Sequence, residues 1–573
     1  MDAGLRPALE LSDVSAPPPA DESAVSLQSR SVEADPWIFR DGRTALSGET
    51  LLRAISLALS RPGSEAITDA LIQAGELEAG VADAGLPAAA ESAQLTDSLA
   101  SALCEGESRG LQRARALLEV MRFPGELCVS PPEGFTYYAL HPRDFRDVVK
   151  QLPTKAKSIA VIGIRSIGTT LSAIVTASLK QKHRLASRIT VRPKGHPYSR
   201  RMMLTAQEER WISHQSREEA DFAIVDEGPG RSGSTFLSVA EALVTCGVPR
   251  EKVILLGSRQ PDPASLLAED AATRWAQFQF IAASSSIASR FERNIYAGGG
   301  CWRAHLLTDN REWPECWNQM ERLKFLSPDR RRIFKFEGMG RIGAEMRARA
   351  FALAEASFSP SVTDAGDGLL AYDLHTGHAL RTSDLSPDFL DFMAGYCAFR
   401  AANFCAGAGS RSQLKEMLDF NLLTEFGRKA ILPEDVFSTA NPVLVDGRMQ
   451  PHEFVVNGAG EFRKTDSISH GDDHFFPGPC DVAWDLAGIT VEWQLGSQQI
   501  GHLLSKFEQF SGMTNTAARL PAYMLAYAVF RTGFCRMASE SVSDSAEQLR
   551  LRFACQRYRN AAEDLLMSQF CSE

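Results

Sequence analysis

A multidomain α/β protein is what this sequence predicts: a doubly wound parallel sheet in the middle of the chain, preceded by a helical region and followed by an α+β region. Three observations predict it. Short, continuously apolar runs alternate with helical segments between about 125 and 310, the pattern of a parallel sheet covered on both faces. From about 45 to 122, apolar residues recur at spacings of three and four, which marks amphipathic helices. At 573 residues the chain is too long for one ordinary core.

Taken in order, residues 1–35 are rich in Ala, Pro, Ser and Asp, a composition that suits a disordered tail. Residues 36–124 form the helical region, with GETLLRAISLALSR and SRGLQRARALLEVMRF as its clearest segments. The sheet domain spans 125–318. Its predicted strands are SIAVIGI (158–164), RITVR (188–192), DFAIVDE (221–227) and KVILLG (252–257), joined by helices such as TTLSAIVTASLKQ and STFLSVAEALVTCG. Just ahead of it, EGFTYYALHPRDF (133–145) is either a stacking pocket for a planar acceptor or an apolar clamp between helices and sheet. The third region, 319–573, carries a compact polar cluster at 445–486 and a mainly helical end.

Composition excludes several classes. A net charge of -10 lacks the basic footprint of a general nucleic-acid binder. No apolar run reaches membrane-spanning length, and the amino terminus has no signal pattern, so a cytoplasmic protein is expected. Eleven cysteines without a CxxC pair read as reduced thiols.

The most informative stretch is AIVDEGPGRSGST (223–235). A strand ends in Asp226 and Glu227, whose carboxylates suit sugar hydroxyls. It runs through Gly230, Arg231, Ser232, Gly233, Ser234 and Thr235 into a helix, where backbone N–H groups suit a phosphate. A second turn, GIRSIGTT (163–170), follows another strand directly. Together these resemble type I phosphoribosyltransferases. The resemblance implies a doubly wound sheet of phosphoribosyltransferase type, phosphoribosyl diphosphate (PRPP) as substrate, Mg²⁺, and transfer of phosphoribose to a small-molecule acceptor with release of diphosphate. Asp226 and Glu227 would hold ribose and act in catalysis. Arg231, Ser232, Gly233, Ser234 and Thr235 would hold the 5-phosphate, and Arg165 and Ser166 the diphosphate. The family usually has one residue fewer between the acidic pair and the loop glycine. Its hood would fall on VRPKGHPYSRR (191–201), and dimerisation is its tendency.

Between 445 and 488, eleven Asp, Glu and His residues crowd into about forty positions, ending in DVAWDLAG. This segment resembles the aminoglycoside-phosphotransferase and choline-kinase-like fold. The resemblance implies Asp446 as catalytic base, Glu453 where the family has a metal-binding Asn, and Asp466 on Mg²⁺. It also implies Lys335 as the ATP-phosphate lysine with Glu345 as its helix partner, and GLLAYDLHTG as the hinge. Val445 stands where the family has His. A working kinase, a degenerate kinase fold and an unrelated metal site built from His470, Asp472, Asp473 and His474 are all open readings. The leading functional expectation is therefore an Mg²⁺-dependent phosphoribosyltransferase with a possible second, kinase activity. The alternatives are a non-catalytic PRPP or nucleotide sensor and a small-molecule kinase whose central domain recognises substrate.

Overall fold

The computed structural model describes residues 36–38, 42–106, 108–123, 125–153, 157–196, 198–307, 309–374, 377–406, 413–468, 470–471, 476 and 478–570. The expected tail, 1–35, and Asp472, Asp473 and His474 lie outside them.

Four helices, Gly48–Ala58, Ser64–Asp83, Ala89–Glu105 and Ser108–Val120, build the first region. The second departs from the amphipathic pattern: every residue from Ala66 to Val81 is buried. Its small side chains let four other helices close around it, namely Gly48–Ala58, Ala89–Glu105, Ile167–Gln181 of the sheet domain and Gly340–Glu355 of the last region. A β-carbon added at Gly75 would lie 2.0 Å from Thr170 Oγ1, so the two backbones nearly touch there. Burying acids on such a helix requires partners. Asp69 accepts a hydrogen bond from the Gly340 N–H (2.8 Å), Glu76 pairs with Arg341 (3.2 Å), and Glu78 takes two bonds from Arg188 (2.8 and 2.9 Å).

Five parallel strands form the central sheet, in the order Leu185–Val191, Ser158–Ile164, Asp221–Val225, Val253–Gly257, Gln279–Ala282. One face, with Ile159, Val161, Ala223, Val225 and Leu256, packs on the helical region. The other, with Ile162, Phe222, Ile224 and Leu255, packs on Phe236, Leu237 and Trp275. Burial on both faces is why these strands read as unbroken apolar runs. The fifth strand, QFIA, is too short and mixed to stand out.

The last region opens with an antiparallel sheet, ordered Val362–Gly366, Leu369–Asp373, Arg332–Phe336, Lys324–Leu326, Ile295–Tyr296. Ile295 pairs with Leu326, so this sheet takes a strand from before the expected boundary at 319. A three-stranded sheet (Gly377–Ala379, Phe454–Asn457, Phe462–Lys464) and long helices complete the chain, with Trp484, Tyr523 and Tyr527 fully buried among them. No helix among the described residues is long and apolar enough to cross a membrane.

The 133–145 segment is a clamp. Its four-residue helix Glu133–Thr136 takes the Met339 N–H on the Phe135 carbonyl (2.9 Å) and Arg322 Nη1 on the Thr136 carbonyl (3.1 Å). On its other side, a β-carbon added at Gly134 would meet the Glu227 carboxylate at 2.8 Å.

The Gly75 contact yields a test. Gly75→Ala forces the two helices apart and should cost about 1–3 kcal/mol, as overpacked cores do. Thermal or urea unfolding measures it, and an unchanged midpoint would contradict the close approach.

Candidate functional site

The strands Lys324–Leu326 and Arg332–Phe336 pair so that Lys324 stands directly opposite Lys335. Both side chains are buried, and like charges so placed repel. Asp466 relieves the conflict. One carboxylate oxygen meets Lys335 Nζ and the other lies 3.2 Å from Lys324 Nζ. Glu337 adds a second carboxylate 3.0 Å from Lys335, and Glu321 a second one 2.9 Å from Lys324. Burial alone would push the Asp466 carboxyl up, but Lys324 and Lys335 outweigh it and hold it well below the usual carboxylate range.

Asp446 lies deeper. The Tyr396 hydroxyl donates to its Oδ2 (2.5 Å), the Arg448 N–H to its Oδ1 (3.2 Å), and Lys464 Nζ stands 3.4 Å away. Its loop is held from behind by Asp485, which accepts the backbone N–H groups of Asp446 (2.8 Å) and Gly447 (3.0 Å). Gly471 lets the next segment close over this loop: a β-carbon there would fall 1.8 Å from the Val445 carbonyl oxygen. That closure sets His470 Nδ1 3.9 Å from Asp446 and His470 Nε2 3.8 Å from Asp466. Burial opposes ionisation of Asp446, yet Lys464 in particular keeps its carboxyl below the ordinary value. For Asp485 burial prevails and the carboxyl is raised.

Glu453 completes the group, 2.9 Å from Lys464 Nζ and 3.6 Å from Arg448 Nη1. Asp446, Glu453, Asp466 and Lys335 thus lie in one group. Glu345 is not placed with them: it is half exposed on its helix and lies 3.4 Å from Arg341. Glu337, just past the end of the strand that carries Lys335, makes the close contact instead. Asp446 is also fully enclosed, so in this conformation its carboxylate faces Tyr396 and Lys464 and not an acceptor hydroxyl.

The segment after Ile295–Tyr296 closes one side. Glu321 accepts the Gly300 N–H (2.5 Å) and the Trp302 indole N–H (2.7 Å), and the Trp302 ring stacks on His452 at 5.7 Å between centroids. Burial pushes the His452 imidazole down to about 3, and burial together with Arg448 lowers His470.

A second candidate site lies at the carboxyl ends of the parallel strands. Asp226 and Glu227 follow Asp221–Val225, and Gly230 and Gly233 take positive φ (60° and 71°) to bring the loop into the helix Ser234–Thr245. Ser232 Oγ donates to Ser234 Oγ (2.9 Å) and accepts the Ser234 N–H (3.2 Å). Arg231 and Ser232 offer their carbonyls to Leu267 and Ala268, and Thr235 lies in the first turn of the helix. Ser166, at φ 92° and ψ -110°, makes the backbone kink expected of the other turn. Arg165 departs from expectation. Its guanidinium donates to the Thr190 carbonyl (3.1 Å) and to Asp83 (3.1 Å) of the helical region, because that buried helix supplies a carboxylate beside the sheet edge.

Lys324, Glu337, Tyr396 and Lys464 were missed by sequence reasoning. The one available signal was a lysine two residues before Asp466 in FRKTD. No family model matches the chain, and no curated protein matches it either. Solved structures similar to it include the choline kinase LicA from Streptococcus pneumoniae (14% identity, covering 43% of this chain and 89% of that one, TM-score 0.28). A choline/ethanolamine kinase family protein from Mesorhizobium loti gives 17%, 43%, 86% and 0.29. An aminoglycoside phosphotransferase from Alicyclobacillus acidocaldarius gives 11%, 43%, 89% and 0.28. With TM-scores below 0.5, any functional reading rests on this chain's own geometry.

The partly buried histidines His452 and His470 give a pH prediction. Their folded-state values are depressed, so their contribution to stability is complete above the unfolded value of about 6.5 and is lost as pH falls toward about 3 for His452. Unfolding free energy measured from pH 7 to 4 should decline, and His452→Gln should flatten that decline by about one proton. An unchanged slope in the variant would show that His452 is not held neutral.

Proposed function

We propose that the carboxy-terminal region binds a nucleoside triphosphate and transfers its terminal phosphoryl group to a small molecule, with the parallel-sheet domain recognising that acceptor. The observation that carries this reading is the opposed pair Lys324 and Lys335, bridged by Asp466 from the facing loop. Two ammonium groups on one sheet face, released from a carboxylate, suit a polyphosphate. Phosphoryl transfer asks a protein mainly for positioning and charge stabilisation. It therefore does not require the enclosed Asp446 to act as a strong base.

The expected Mg²⁺ set does not fit the residues as arranged. Asp466 is held by two lysines, and Asp446 and Glu453 share a third.

A second reading keeps a separate observation: the kink at Ser166 and the acidic pair at Asp226 and Glu227 face the same sheet end. It takes the central domain as a PRPP or ribose-phosphate binder, transferring phosphoribose or sensing the ligand without turnover. Arg165, engaged by Asp83, would not serve the diphosphate in this arrangement.

Calorimetric titration separates the readings. Lys335→Ala should weaken ATP binding at least about tenfold, the equivalent of 1.4 kcal/mol, while Asp226→Asn leaves it unchanged. Asp226→Asn should instead weaken PRPP. Full ATP affinity in Lys335→Ala would overturn the phosphotransfer reading.

A further inference from the structure

We propose that Lys464 is a built-in cation that occupies the metal position between Asp446 and Glu453, so that this cleft takes no divalent ion there. The proposal deepens the phosphotransfer reading of the cleft, and rests on it for the ligand that the remaining cations would meet.

Asp446, Glu453 and His470 each offer a ligand atom, and these atoms lie within 4.8 Å of one another. That spacing suits a divalent cation holding carboxylate oxygens and one imidazole nitrogen. The place is taken. Lys464 Nζ lies 2.9 Å from Glu453 Oε2 and 3.4 Å from Asp446 Oδ2, and donates to the Thr465 carbonyl at 3.0 Å. An ammonium has three donors, and three acceptors surround it.

Nor can it swing aside easily. Its side chain is 0% exposed, and Nζ sits 5.4 Å from the centre of the Phe454 ring. The backbone beneath is pinned twice: Lys464 pairs with Phe454 across the strands, and its N–H donates to the Phe358 carbonyl (2.7 Å).

Charge points the same way. Two carboxylates face Lys464 and Arg448, the latter 3.6 Å from Glu453 Oε1, so the pair is already neutral. Adding a divalent ion would leave two uncompensated positive charges in a buried volume, which is strongly unfavourable. Lys464 acts as a positioning residue: it holds the Asp446 and Glu453 carboxylates in place without reaching the ligand itself.

Mn²⁺ binding to the full chain, followed by electron paramagnetic resonance without nucleotide, tests this directly. Glu453→Gln should leave the wild-type Mn²⁺ isotherm unchanged, because no ion uses that carboxylate. Lys464→Met should create a Mn²⁺ site at least about tenfold tighter than anything in the wild type, and Lys464→Arg should not. A wild-type Mn²⁺ site abolished by Glu453→Gln would overturn the proposal, as would a folded Lys464→Met protein that gains no site. Should Lys464→Met fail to fold, the wild-type and Glu453→Gln comparison still decides. Absence of ATP binding in the wild type would count against the phosphotransfer reading alone and leaves the Mn²⁺ results readable.

Discussion

The bridge from Lys324 through Asp466 to Lys335 is the interaction on which the carboxy-terminal half depends. Strand pairing places two lysines side by side on a buried face, an arrangement that no sheet tolerates alone. The compensating carboxylate comes from a residue more than a hundred positions later, in a left-handed backbone conformation (φ 53°). The antiparallel sheet is therefore complete only when the Asp466 loop is docked on it. Buried ion pairs add little net stability against apolar packing, yet losing one partner is costly because the other is left charged and dry. Such a bridge specifies an orientation between sheet and helices more than it strengthens either.

The same logic runs through the whole cleft. Asp446, Glu453 and Asp466 each already face a lysine or arginine. This is a closed electrostatic circuit, and a polyphosphate would enter it by exchange, taking lysines that now serve Asp466. The cleft's selectivity would then come from which cations can be released. Lys324 and Lys335 share their carboxylate between them, whereas Lys464 is pinned by its own strand.

Legibility in the sequence followed burial pattern. The parallel strands were readable because both faces are apolar, and the glycine turn after Asp226 was readable because its backbone needs small residues. The antiparallel strands were not, since Lys324, Lys335 and Glu337 put charge into a buried sheet and break the alternation that marks one. The Lys335 partner was misplaced onto Glu345 for a related reason. Helical spacing says which residues share a face but not which face turns inward, and Gly340–Glu355 turns Met346 and Ala350 to the core while Glu345 stays out. The pull of Asp83 on Arg165, and of Ile295 on Leu326, crosses boundaries drawn from composition, and no local pattern announces either.

The helix Ser64–Asp83 also has a consequence for how the chain is made. Asp69 waits for Gly340, 271 residues downstream. At bacterial or eukaryotic synthesis rates of roughly 5–20 residues per second, that partner emerges on the order of tens of seconds after the helix does. Through that interval a segment carrying three acids destined for burial has no complete place to go. The amino-terminal helices are thus unsuited to folding first as a finished unit. They behave as a core element that the rest of the newly made polypeptide must be gathered around, which favours late, concerted consolidation over domain-by-domain assembly.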